Sequence, residues 1–170
     1  MEHVILVDEE DREIGTMEKL EAHQKGRLHR AFSVLIFNSK GEILLQKRAQ
    51  GKYHSAGLWT NTCCSHPLPG ESMENAIRRK LIQEMGFETP AEFAYKFLYR
   101  TQLSNLLIEH EYDHVYIGTF DGKPEVNPSE VESWKYISMD QLREEVKAHP
   151  ERFTFWFKQI LEEDRLPQAR

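Results

Sequence analysis

Apolar residues fall in short bunches separated by polar turns. Val4 to Val7, Ala31 to Phe37 and Ile43 to Leu45 are near-continuous apolar runs of strand length, and Asn38-Ser39-Lys40-Gly41 supplies turn residues for a hairpin between the last two. Phe93 to Tyr99, His114 to Phe120 and Trp134 to Ile137 predict further strands; the first two carry the β-branched and aromatic residues that suit a pleated surface. The period changes between Ser72 and Gly86, where Met73, Ala76, Ile77, Leu81 and Met85 recur at helical spacing, with Ser72 as N-cap and Gly86 as the stop. Ser138-Met139-Asp140-Gln141 has the form of a capping box that opens a second helix, Pro150 limits its length, and a third helix covers Phe155 to Glu163. Strands alternating with helices, without repeats or a linker, predict an α/β (α+β) fold: one domain over residues 1–170 with a mixed β-sheet core flanked by helices.

Composition narrows the class. The chain has 170 residues, 39% hydrophobic and 29% charged, the size and balance of one globular domain. No stretch approaches the roughly 18 consecutive apolar residues of a membrane span. The start, Met1-Glu2-His3-Val4, lacks the basic-then-apolar order of a signal peptide, so a cytoplasmic protein without a membrane partner is expected. A formal charge of −6 argues against a nucleic-acid partner but leaves room for a local cationic pocket that binds a small anion. Cys63 and Cys64 are adjacent, and a vicinal disulfide is strained, so both are expected as thiols. No feature of the pattern specifies self-association.

His23 and His29 lie across an expected helix-to-strand junction, and His66 follows the cysteine pair. A lone histidine is more often a structural group than a ligand, so these gain weight only as a set. Glu109-His110-Glu111 completes one: carboxylates two apart point to the same side of an extended segment and can converge on a cation, although a solvated acidic edge strand has the same pattern. Three imidazoles and two carboxylates make an N/O site suited to Mn²⁺, Zn²⁺ or Mg²⁺. Burial is the commoner role for a cysteine, but one of the pair lies two residues before His66, where a nearby cation makes a thiol a usable proton donor or thiolate base.

Gly70-Glu71-Ser72 and the helix through Arg79, Glu84 and Gly86 resemble a Nudix box, whose glycine turn and helical acids bind a metal-diphosphate. The box is altered. Aligned on Glu71 and Gly86, Lys80 replaces the glutamate of the Arg-Glu pair, Gln83 replaces the first of the paired glutamates, and Ser65 stands at the leading glycine. The scaffold residues remain while part of the hydrolytic acid cluster is gone.

Trp59 to Pro67, together with the Glu109/Glu111 pair, resembles the Trp-Thr-Asn-x-x-Cys-x-His-Pro and Glu-x-Glu motifs of the type I isopentenyl diphosphate isomerases, and the resemblance runs from about His3 to Gln159. It implies a metal held by His23, His29, His66, Glu109 and Glu111; the His23-to-His29 separation is one residue shorter than in some members. It also implies Cys64 as the catalytic cysteine, Tyr99 orienting the acid-base carboxylate, and Trp156 over the reacting carbons. Glu84 would help hold a second Mg²⁺ brought with the substrate diphosphate, which Lys19, Arg48, Lys52 and Lys80 would bind, Lys80 standing where an arginine is often found. The implied reaction interconverts isopentenyl and dimethylallyl diphosphate by adding a proton at one carbon and removing one two carbons away. Such a site needs an acid, a base and no water to trap the tertiary carbocation. Glu111 is expected to protonate the alkene and the Cys64 thiolate to remove the second proton, with Trp156 stabilising the cation by about 2 kcal/mol. Two rival readings are a Nudix diphosphohydrolase and a noncatalytic metal or metabolite sensor.

Overall fold

A computed structural model describes residues 1–103, 105–163 and 165–166; the other positions of the expected 1–170 domain lie outside the described residues. In chain order the elements are β1 (His3–Val7), β2 (Glu13–Glu18), α1 (Lys19–Lys25), β3 (His29–Phe37), β4 (Ile43–Arg48), β5 (Trp59–Thr60), β6 (Cys63–Ser65), α2 (Met73–Met85), β7 (Ala91–Gln102), β8 (Ile108–Thr119), β9 (Val131–Ile137), α3 (Met139–Ala148) and α4 (Phe155–Glu163), with a 3-10 turn at Pro150–Arg152.

Strand β3 organises the sheet. Phe32, Val34 and Ile36 enter a core with Ala76, Ile77, Leu81 and Met85 of α2, while Leu35 and Phe37 enter a second core with Leu142 of α3 and Phe157 and Ile160 of α4. β3 is covered on both faces, which is why Ala31 to Phe37 is apolar at every position but Ser33, whose hydroxyl donates to Asp113. β8 runs parallel to β3, whereas the β3–β6, β4–β9 and β7–β8 pairings are antiparallel, giving the mixed sheet with flanking helices that the pattern predicts.

The predicted caps form. Ser72 Oγ accepts the Asn75 N–H at 3.2 Å, and Gly86 closes α2 at φ 73°, where a side chain would collide with the Glu125 carbonyl. Ser138 Oγ accepts the Gln141 N–H at 3.2 Å, and α3 ends at Ala148, ahead of Pro150. The pattern does not predict β2. Its residues are largely exposed and hold an extended form by pairing with β1, from His3 opposite Glu18 to Leu6 opposite Gly15.

One departure from regular pairing builds the site. β3 and β4 pair at the hairpin end, Phe37 opposite Ile43, and then diverge. β6 pairs with β3 and β5 with β4 inside the resulting split. Thr62 Oγ1 bridges it, accepting the Ile36 N–H at 2.9 Å and donating to the Leu44 carbonyl at 2.6 Å. Asn61 Nδ2 donates to the carbonyls of Val34 and Cys63. Buried backbone groups that the two strands cannot offer each other are thereby satisfied. Strand alternation in β6 then sends Cys63 into the α2 core and Cys64 to the opposite face.

Candidate active site

Five of the expected residues converge. α1 carries His23, and Gly26 ends that helix at φ 66°, turning the chain so that His29 opens β3. The parallel β3–β8 register sets His29 opposite Glu111. Alternation along β8 buries Glu109, Glu111 and Asp113 on one face. His66 follows β6. His23 Nε2 lies 3.1 Å from Glu109 Oε2, His29 Nε2 3.1 Å from Glu111 Oε2, and His66 Nε2 2.9 Å from that same oxygen. Donor atoms of His23, His29, His66 and Glu111 all lie within 4.8 Å of one another, as do those of His23, His54 and Glu109.

The donor chemistry fits a divalent cation. His23 Nδ1–H donates to the Lys19 carbonyl at 2.8 Å, and His29 Nδ1–H to the Arg27 carbonyl at 2.9 Å. A carbonyl only accepts, so each ring's first proton is on Nδ1 and Nε2 is left able to coordinate, the usual way a backbone carbonyl fixes a metal-binding tautomer. Burial and the neighbouring His66 and His29 rings push His23 down to about 4, so it is neutral at pH 7. Burial and the adjacent Glu111 charge hold Glu109 well above the usual carboxylate range, which leaves a carboxyl proton to bridge to His23 Nε2 in the metal-free protein. Burial alone would raise Glu111, but hydrogen bonds from His29 and His66 outweigh it and keep Glu111 ionised.

Around this cluster the pocket is lined by Cys64, Trp156, Arg48, Lys19, Lys52, Lys80 and Glu84. Tyr99 donates its hydroxyl to Glu111 Oε1 at 2.7 Å. Burial pushes the Cys64 thiol up to about 12. The Arg48 guanidinium lies 5.3 Å from the centre of the Trp156 ring, and neither Arg48 Nε nor Trp156 Nε1 has a protein partner among the described residues. Each lysine of the rim carries a carboxylate: Lys19 with Glu2, Lys52 with Glu130, Lys80 with Glu84. Glu84 stands apart from both His/Glu groups, accepting from Gln46 Nε2 at 3.0 Å and facing Cys63 Sγ at 3.7 Å.

What is left of the Nudix box is largely structural. Glu71 accepts a two-pronged bond from Arg79 at 2.8 and 2.9 Å, and Arg79 reaches on to the His66 carbonyl at 3.3 Å, tying the ligand loop to α2.

Sequence spacing misses His54, in the loop between β4 and β5, which is buried against Glu109. It lies at no regular interval from the other histidines. Asp113 does have a signal, as the next inward position after Glu109 and Glu111. Glu2 and Glu130 have none, being remote in sequence from the lysines they pair with.

A NUDIX domain model matches residues 27–157. Among solved structures, the Deinococcus radiodurans protein DR0079 superposes with a TM-score of 0.71 at 21% identity, covering 86% of this chain and 90% of its own. The MutT NUDIX hydrolase from Burkholderia pseudomallei gives 0.64 at 24% identity over 81% and 98%. These likenesses fix the fold. The isopentenyl-diphosphate Delta-isomerase of Pectobacterium atrosepticum is 53% identical over 91% of this chain and 87% of its own length, and isopentenyl-diphosphate Delta-isomerase 2 of Aromatoleum aromaticum is 48% identical over 99% and 88%. The chain belongs to the isopentenyl-diphosphate Delta-isomerase family, on a Nudix fold. In this family member the altered Nudix box accompanies a cluster of His and Glu side chains on the far side of β3 from α2 that could hold a metal ion.

Proposed function

We propose that this isomerase interconverts isopentenyl and dimethylallyl diphosphate by proton transfers between substrate carbons and the pair Cys64 and Glu111. The observation that carries this reading is the flanking of β3 by β6 and β8: the two strands bring Cys64 and Glu111 into one pocket that Trp156 also lines. Burial of the pocket keeps water from a carbocation. Trp156 offers that cation a π face. Arg48, with its free Nε, and the lysines at positions 19, 52 and 80 form the diphosphate end, where the substrate takes over contacts now held by Glu2, Glu130 and Glu84. Glu84, released from Lys80, helps hold the Mg²⁺ that accompanies the diphosphate.

His23, His29, His66, Glu109 and Glu111 would hold Mn²⁺, Zn²⁺ or Mg²⁺, and three imidazoles favour the transition ions. The bound cation supplies positive charge that fixes Glu111 and tunes its basicity. Tyr99 holds the other Glu111 oxygen. The metal-free charges favour a thiol at Cys64 and a carboxylate at Glu111 as the resting pair, the reverse of the protonation expected from the sequence. In that state Cys64 gives the first proton and Glu111 takes the second, and the roles exchange in the return reaction. The reading takes the active unit as one 1–170 domain working in the cytoplasm. Two thiols and no helix among the described residues long and apolar enough to cross a membrane are in keeping with it.

Incubation of the Mn²⁺- and Mg²⁺-supplemented protein with isopentenyl diphosphate, with product analysis, tests the reading. Dimethylallyl diphosphate is the expected product, lost in Glu111→Gln. Phosphate release without that product would favour hydrolysis, and tight metal binding without turnover of either isomer would favour a sensor.

A further inference from the structure

We infer that His54 is a positioning residue for Glu109, donating Nε2–H to Glu109 Oε1 and so turning Oε2 toward the metal ligands; the inference rests on the metal-centre reading above. The two oxygens of Glu109 are divided between two imidazoles: His54 Nε2 lies 3.3 Å from Oε1, and His23 Nε2 lies 3.1 Å from Oε2. What separates the two rings is the partner at Nδ1. His23 and His29 face carbonyls there, which only accept, so their Nε2 atoms are left as ligands. His54 Nδ1 instead lies 3.1 Å from Ser55 Oγ, a hydroxyl able to donate. A neutral ring that accepts from Ser55 carries its proton on Nε2, the nitrogen 3.3 Å from Glu109 Oε1.

The loop around His54 is built to hold that direction. Arg48 Nη2 donates to the His54 carbonyl at 3.1 Å. The His54 ring meets Trp156 edge-on, with centroids 5.8 Å apart and planes at 85°, and packs against Tyr53 at 4.3 Å. Ser55 is held at φ 51°, a left-handed conformation that a non-glycine residue keeps only where its surroundings impose it. His54 is therefore fixed by the same two residues, Arg48 and Trp156, that line the substrate end. Its donor atom joins the group of His23 and Glu109 but not the one made by His23, His29, His66 and Glu111, which fits a partner of Glu109 rather than a member of the ligand set.

Titration of chelator-stripped protein with Mn²⁺, reading free Mn²⁺ by electron paramagnetic resonance, decides the matter without recourse to turnover. His54→Leu, which keeps bulk and loses the donor, is expected to weaken binding roughly 10- to 100-fold, the usual effect of losing an outer partner of a ligand. His54→Gln, whose amide donates to the same oxygen, should recover most of that loss. Leu at 54 with the parent's affinity overturns the inference, and so does Gln at 54 as weak as Leu, which would make His54 a ligand itself or a packing group. Ser55→Ala tests the claim without touching the imidazole: severalfold weaker binding supports it and parental affinity overturns it, even if His54→Leu does not fold. A parent that takes up no Mn²⁺ would refute the metal-centre reading first, a failure distinct from these.

Discussion

Tyr99 and Glu111 face each other across β7 and β8, in direct register, and the Tyr99 hydroxyl donates to Glu111 Oε1 at 2.7 Å while Oε2 takes the contacts with His29 and His66. One carboxylate is thus shared between a phenol on the pocket side and imidazoles on the metal side. Burial above all, with the neighbouring carboxyl groups, holds the Tyr99 phenol well above its usual range, so it remains a donor at any working pH. Tyr99→Phe is expected to lower kcat roughly thirtyfold, the loss of a charge-assisted bond of about 2 kcal/mol, with KM little changed. Steady-state kinetics in both directions check this; an unaltered kcat would reduce Tyr99 to packing.

The cysteines give a paired prediction. Cys64→Ala is expected to cost roughly 10²- to 10⁴-fold in kcat as a lost proton-transfer group, with thermal stability near the parent's. Cys63 is fully buried in the α2 core, so Cys63→Ala should cost about 1 kcal/mol of stability and leave turnover nearly intact. Turnover assays and denaturant titration on both variants read the two effects apart. The opposite pattern would exchange the faces of β6.

How much of this was legible in the sequence follows from which face of each element is apolar. Ala31 to Phe37 and the α2 stripe were legible because burial wrote the period directly into residue type. The start of β8 was hidden, because its inward positions are Glu109, Glu111 and Asp113, which invert the expected alternation; the pattern predicts a strand only from His114, six residues after β8 begins at Ile108. β6 is three residues long, too short to show a period, so spacing to His66 and family likeness, not periodicity, marked Cys64. The clustered His and Glu side chains come from α1, β3, the loop after β6, and β8, a convergence made by the parallel β3–β8 pairing that spacing alone does not reveal. His54 had no signal because its partner, Glu109, is 55 positions away across the split in the sheet.

Metal binding should displace protons. A neutral Glu109 has to give up its proton for a cation to take its contacts, so Mn²⁺ affinity is expected to rise with pH and fall as protonation competes. Calorimetry in two buffers of different ionisation enthalpy should report release of roughly one proton or more per Mn²⁺ at pH 7. Chelation should abolish isomerisation, and added Mn²⁺ should restore it. Binding without proton release would mean that Glu109 is already ionised in the empty site.

Asp113 should make the metal-free protein less stable as pH rises. Burial, then the Glu111 charge, lifts its carboxyl to about 8, while Ser33 Oγ donates to Oδ2 at 2.7 Å and Oδ1 has no partner among the described residues. A folded value raised above the unfolded one gives a contribution that is complete below the ordinary carboxyl value of 3.8 and is lost as pH climbs toward 8. The full linkage between those limits at pH 7.5 is about 5 kcal/mol. Asp113→Asn removes the titration, so the stability difference between variant and parent is expected to move by about 5 kcal/mol in the variant's favour from pH 4 to pH 7.5, on top of whatever constant offset the amide against Ser33 adds. Denaturant titrations in chelator across that range measure it, and a difference independent of pH would mean that Asp113 is ionised in the fold. Because part of the lift comes from Glu111, added Mn²⁺ should narrow the gap between variant and parent: a cation that neutralises Glu111 relieves its neighbour as well.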